Sequence, residues 1–294
     1  MKRCAFAVSV SAAMLVHTFD IGILEAKARQ PVALAPATPW HLDRDQHRCS
    51  LTRSFGDPAN PFLLRFERFA PGDSFELLLS GQELKGIIRT GGLHIAYGEG
   101  RFVRIPENAI TGRNSKNLLS LLMTSSLAPK AFTPGVQPDD MPAVTPDQEQ
   151  SVASVSLKWG AQTLRLETGS LGKPFAALRT CTDNLVRSWG FDPAQQSHLR
   201  TRPILSRGMI RNFQSSYPTK LMWPGGQAWA RLRVLVDADG RPHDCLIQRV
   251  SNGQDLGDFA CDLMLDQVSF TPATDEQGNK VASYFTTRVA WQTN

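Results

Sequence analysis

The alternation of apolar and polar positions is clearest in the last quarter of the chain. Ala230, Leu232, Val234 and Val236 recur at every second position, the period of a strand with one face turned to a core. Asp237-Ala238-Asp239-Gly240 follows, and Asp and Gly tolerate the left-handed backbone angles of a hairpin turn. A second strand is predicted over residues 243–250, where Cys245 and Ile247 alternate, and it stops at Ser251-Asn252-Gly253. From Leu256 the period becomes helical: Leu256, Phe259, Ala260, Leu263 and Met264 share a stripe flanked by Cys261, Leu265 and Val268. A stripe that wide covers a sheet. After Phe270-Thr271-Pro272-Ala273 and a polar turn over 275–278, Val281, Phe285, Val289 and Trp291 predict a closing strand.

The first two thirds carry a different pattern. A Pro- and Ala-rich lead over 30–39 precedes strand-length segments at 47–55, 61–69, 74–80 and 93–97, separated by Asp57-Pro58, Pro71-Gly72 and Gly91-Gly92. These predict a meander. Residues 117–127, rich in Leu, fit a short helix or a buried strand, and the Pro- and acid-rich stretch 129–146 an exposed loop. Strand patterns resume at 152–157 and 163–167. Gly172-Lys173-Pro174 then opens a helix in which Phe175, Leu178, Cys181, Thr182, Leu185, Val186 and Trp189 fall at helical spacing, and Gly190 ends it. The expected fold is α+β: a mostly antiparallel domain over 40–191 that closes with a helix, a linker over 192–210, and a ββαβ domain over 211–294.

A chain of 294 residues with 41% apolar content is long enough for two cored domains. Its net charge of +5 is scattered as single Arg residues rather than gathered in runs, which favours a solvated basic surface over nucleic-acid binding. Weak attraction to anionic polymers or lipid headgroups stays open. The N-terminus has the build of an export signal over residues 1–28: Lys2-Arg3, an apolar core over 4–16, and a small-x-small site at Ala26-Lys27-Ala28. The rival is an inner-membrane anchor. His17 and Asp20 would sit inside it, and the apolar run falls short of the ~20 residues a span requires. The expected location is therefore the periplasm, with no lipobox to make Cys4 a lipid anchor.

Four cysteines remain once Cys4 leaves with the signal, an even number suited to two disulfides in an oxidising compartment. Cys245 pairs with Cys261 if the second C-terminal strand lies under the helix, a closure worth ~3 kcal/mol in the chain-entropy model. Cys49 with Cys181 is the remaining pair, although three connectivities are formally open. Buried free thiols are one rival. Zinc at His47-x-Cys49 and His243-x-Cys245 is another, without the two-to-four residue intervals of a metal knuckle.

Tyr217-Pro218, the hairpin with Asp239-Gly240, Ser251 to Gly253, Leu256, Phe270-x-Pro272-Ala273 and Gly278 stand in an order and spacing that resembles the C-terminal domain of TonB-family energy transducers. The likeness covers about residues 205–294. Leu221 stands where the family has a small residue, Pro224-Gly225-Gly226 precedes the first strand, and Gly257 stands where the family often has Asp. The resemblance implies a sheet with an accessible edge to which a partner's extended segment adds as a further strand. It implies Asn212, Gln214, Tyr217 and Pro218 on the approach and the closing strand, with Phe285, Val289 and Trp291, at that edge. Upstream, Trp40, Cys49, Arg53, Phe55 and the Cys-bearing helix ending in Trp189-Gly190 resemble uncharacterised exported envelope proteins.

No nucleophile elbow, phosphate-cradling loop, His-Glu-x-x-His motif or dinucleotide fingerprint occurs. Cys181 has no neighbouring His. Asp139-Asp140 sits in the Pro-rich loop, and His41, Asp43, Asp45 and His47 read as strand-lead polarity. The expectation is a binding protein with no catalytic, metal or cofactor site. Its expected partner is an envelope or outer-membrane protein engaged through an extended peptide, with neither nucleic acid nor a small molecule as ligand. Three alternatives stand beside it: a scaffold that dimerises through its C-terminal domain, an anchored transducer if the signal is retained, and a hydrolase site hidden in the N-terminal domain. A true transducer also needs a long Pro-rich spacer, and here a folded domain takes its place.

Overall fold

Alternation in the first half of the chain resolves into two sheets. The computed structural model describes residues 31–85, 92–105, 109–128, 143–206, 227–251 and 253–292. The predicted signal over 1–28, most of the Pro-rich loop and its Asp139-Asp140 pair lie outside these residues, as do Asn212, Gln214, Tyr217 and Pro218. In chain order the N-terminal strands are β1 (Val32–Leu34), β2 (His41–Arg44), β3 (Cys49–Phe55), β4 (Phe62–Arg68), β5 (Ser74–Ser80), β6 (Leu93–Tyr97), β7 (Val103–Arg104), β8 (Ile110–Arg113) and β9 (Leu119–Ser126). Helix α1 (Pro146–Ser151), β10 (Val155–Trp159), β11 (Gln162–Leu166) and helix α2 (Gly172–Ser188) follow.

The predicted meander holds for β3 to β5, which pair consecutively and antiparallel, and the unpredicted β2 extends it by pairing with β3. It then breaks: β6 leaves for the second sheet, and β9 returns to pair with β5. The six-stranded order is β2-β3-β4-β5-β9-β8, and the five-stranded order β1-β11-β10-β6-β7 is antiparallel except where β1 joins β11. Residues 119–126 form a strand because their burial has period two: Leu121 and Met123 turn inward while Leu122 does not. The two sheets and α2 enclose one core, in which Phe66, Phe75 and Phe175 meet edge to face at 5.0–5.8 Å. Tyr97 and Ser125 share a 2.7 Å hydrogen bond that ties β6 to β9, and full burial pushes the Tyr97 phenol well above its ordinary pKa. Cys49 on β3 is bonded to Cys181 on α2, with the Cα atoms 6.0 Å apart.

Within the stretch read as a linker, the described residues 192–206 are structured, which corrects that expectation for them. Asp192 caps α3 (Pro193–Ser197) by accepting from the Ala194 amide at 3.0 Å, and Pro193 starts the helix because its missing N–H costs nothing in a first turn. Further on, β12 (Ile204–Leu205) pairs with β15 (Phe270–Thr271), and Thr201 bridges to Thr274. Residues 193–206 are thus a strap laid on the C-terminal domain. That domain is built from β13 (Gln227–Val236), β14 (Pro242–Val250), helix α4 (Gln254–Asp266), β15, β16 (Ala273–Thr274), β17 (Lys280–Val281) and β18 (Ser283–Gln292). The main sheet runs β14-β13-β18. Ala230, Leu232, Val234 and Val236 meet Leu256, Ala260, Leu263 and Met264 of α4 in its core. Cys245 and Cys261 are bonded across that packing, Cα atoms 5.5 Å apart. Gly257 lies under Ile247, whose side chain would stand 2.7 Å from an added Cβ, so an Asp there does not fit unless Ile247 moves.

The β13–β14 hairpin turns at residues 237–240. The Asp237 carboxylate accepts from the Arg241 and Asp239 amides at 2.8 and 2.9 Å, which lowers its pKa. Gly240 has φ +85° and lies so close to β15 that an added Cβ would be 2.0 Å from the Phe270 carbonyl oxygen. Gly240→Ala therefore meets left-handed strain and a backbone clash together, and a loss of at least about 1–3 kcal/mol in denaturant unfolding is expected. Removing the bridges by Cys→Ser pairs should cost about 3 kcal/mol for Cys245–Cys261 and about 5 for Cys49–Cys181, from closures of 16 and 132 residues, read as a fall in Tm.

Candidate functional site

β13 is apolar on one face and cationic on the other, and both faces are covered. Opposite α4 the sheet presents a row of arginines: Arg249 on β14 is registered with Arg231 on β13, and Arg231 with Arg288 on β18. The row meets the outer face of the six-stranded sheet, where Glu67 of β4 and Glu76 of β5 are themselves registered partners and both about 2% exposed. Arg249 forks onto Glu67 at 2.7 and 2.6 Å. Arg231 donates to Glu76 through Nε at 3.0 Å and Nη2 at 2.7 Å. Arg48 reaches Glu67 at 3.2 Å. Phe69 lies under Arg231 and Arg249 at 4.5 and 5.4 Å, and Gln248 donates to the His47 and Phe69 carbonyls at 3.1 Å each. At the far end Trp189 packs edge-on against Tyr284 at 5.0 Å, with Arg233 over its ring. Two buried carboxylates thus hold the C-terminal sheet against the N-terminal domain. Glu76→Ala leaves Arg231 without its partner in a dry interface, and a loss of about 3–5 kcal/mol in thermal or denaturant unfolding is expected.

With its faces so engaged, the sheet is left with its two borders. Among the described residues β18 pairs only with β13, in unbroken register over ten residue pairs from Gln227–Gln292 to Val236–Ser283. β14 is the other border, but it begins at Pro242, slips register twice against β13 and lies under α4. A long, regular strand with one charged residue and no proline is the kind of edge that templates pairing. Beside its start is a cavity of about 200 Å³ lined by Asp73, Ser74, Arg202, Tyr284, Phe285 and Thr286, among others.

The side chains expected at the edge are placed otherwise than the resemblance implied. Phe285, Val289 and Trp291 alternate toward α4: Trp291 is 5% exposed in the core beside Phe259, and Phe285 packs on Phe270 at 5.1 Å. Period two sends them inward together because Val234, Ala230 and Ala228, their partners on β13, also face the core. Among the described residues, what β18 leaves unpaired is the outer side of its backbone.

The remaining candidates are scattered. His41 and Asp43 line an open depression of about 380 Å³ on the outer face of β2 and β3 with Thr52, Arg53 and Arg65, while Asp45 accepts from the His47 amide and pairs with Arg48 at 3.6 Å. With Cys49, Cys181, Cys245 and Cys261 in disulfides, the His-x-Cys pairs have no thiolate to give a metal, and among the described residues no cluster of His, Cys, Asp and Glu is placed to hold one. Arg231, Arg249, Arg288, Glu67 and Glu76 were not singled out by pattern alone. Their signal was present all the same: carboxylates at the ends of otherwise apolar strands, and arginines alternating with a core face. Comparison with family models, with curated proteins and with solved structures finds no match to this chain.

Proposed function

We propose that this protein is an exported binding protein of the cell envelope that takes up an extended segment of another envelope or outer-membrane protein as an additional strand on β18. The observation that carries this reading is the ten-residue border of β18, regular on its inner side and unpaired on its outer side among the described residues. A visiting strand would gain main-chain hydrogen bonds along that border, with its alternate side chains setting the choice of partner. The resemblance of residues 205–294 to TonB-family domains supports the same mode and suggests a role in TonB-type transport. Two disulfides support an oxidising, periplasmic location, and among the described residues no helix is long and apolar enough to cross a membrane. The buried ionic groups beside the border are engaged with one another in holding two domains together, which supports a binding role over a catalytic one.

Placing a photoreactive residue at Ala290, the exposed position of β18, and irradiating in envelope extract tests the reading. The expected outcome is an adduct on an extended segment of a different envelope protein, with no comparable adduct from a control at Gln254 on α4. Adducts formed only with a second copy of this chain would replace partner capture with self-association, and no adduct from Ala290 would sink strand addition altogether.

A further inference from the structure

The charges around the docking row do not balance. Four guanidiniums, Arg48, Arg231, Arg249 and Arg288, surround two buried carboxylates, Glu67 and Glu76, and Asp45 pairs only with Arg48. Glu67 is occupied by Arg249 and Arg48, and Glu76 by Arg231 and Arg249. Arg288 stands at the end of the row, and among the described residues it makes no hydrogen bond or ion pair. Its Nη1 is buried with no acceptor, although the residue as a whole is partly exposed. Burial lowers its pKa, the charge of Glu76 only partly offsets this, and Arg231 adds repulsion. A buried polar group without a partner is rare enough in a folded chain to call for an explanation.

Arg288 lies on the strand whose outer side is unpaired among the described residues, and its neighbours on that face are Thr286 and Ala290. A strand added to β18 would bring one residue directly opposite Arg288, with Cβ atoms about 4.5–5.5 Å apart, well within the reach of a carboxylate to a guanidinium. The residue facing Val289 would lie on the other face of that strand, beside apolar side chains of the C-terminal core. We propose that the segment received by β18 is acidic at this point, an extended peptide with Asp or Glu opposite Arg288 and an apolar residue opposite Val289. The visitor's carboxylate supplies the negative charge that the row lacks. This rests on the strand-addition reading and adds to it the chemistry of the partner.

The test uses the full chain with the photoreactive residue at Ala290, alone and combined with Arg288→Lys, Arg288→Gln or Arg288→Glu. Thermal melting confirms that each variant is folded. The adducted segment is sequenced and made as two synthetic peptides, one native and one with its acid changed to the amide. Expected results are an Asp or Glu within two residues of the crosslink, adduct yield kept by Arg288→Lys and lost by Arg288→Glu, and about tenfold weaker binding of the amide peptide, the scale of one desolvated charge pair. Against Arg288→Gln the two peptides should bind alike, which closes a double-mutant cycle. A segment with no acid there, equal capture by Arg288→Glu, or an amide penalty that persists in Arg288→Gln overturns the proposal and leaves strand addition standing. No adduct from the unsubstituted chain removes both.

Discussion

The pairing of Glu67 and Glu76 with Arg231 and Arg249 is what makes one molecule of two cores. Each carboxylate sits on a strand whose other side chains of that half feed the N-terminal core, and each arginine on a strand whose alternate side chains feed the C-terminal core. Registration doubles the effect, since a cross-strand pair of acids meets a cross-strand pair of bases. Two like charges side by side in a dry interface are costly alone, and the opposing pair makes each tolerable. Forked guanidinium geometry and the ring of Phe69 beneath leave little freedom in how the domains sit.

From that constraint follows the layout of the C-terminal sheet. One face is closed by α4 and the other by the N-terminal domain, so the sheet has no free face, only borders. α4 and the register slips blunt β14, and β18 is left as the regular one. The strap over residues 193–206 fixes the start of that border, with Gln196 donating to the Ala282 carbonyl and accepting from the Ser283 hydroxyl at 2.6 Å.

Much of this was legible in the sequence where one period dominated. The stripe of α4, the alternation of Ala230 to Val236 and the helical spacing of α2 each reflect a single buried face, and burial enforces the period. The Cys245–Cys261 pair was legible for the same reason, because it joins elements whose packing the pattern implied, and Cys49–Cys181 followed only as the pair that remained. Legibility failed where two buried faces overlap. Arg231 and Arg233 alternate with core residues as a solvated face would, and nothing local tells a guanidinium in water from one held by a carboxylate some 155 residues earlier. Trp291 misled in the opposite sense: an aromatic near an edge suggests a contact, but its parity with Phe285 and Val289 sends it into the core. The strap was missed because its Pro and polar residues read as linker, although Asp192-Pro193 is a cap followed by a first turn.

The two sulfur bridges differ in span, 16 residues against 132, and neither crosses between the domains. For a chain that emerges from its N-terminus, Cys49 has no partner until Cys181 has followed it, whereas Cys245 meets Cys261 almost at once. No cysteine lies between Cys49 and Cys181, so the first thiol has nothing else in its own domain to oxidise with while it waits. Each closure is therefore contained within one domain, and neither bridge depends on the charged faces having met.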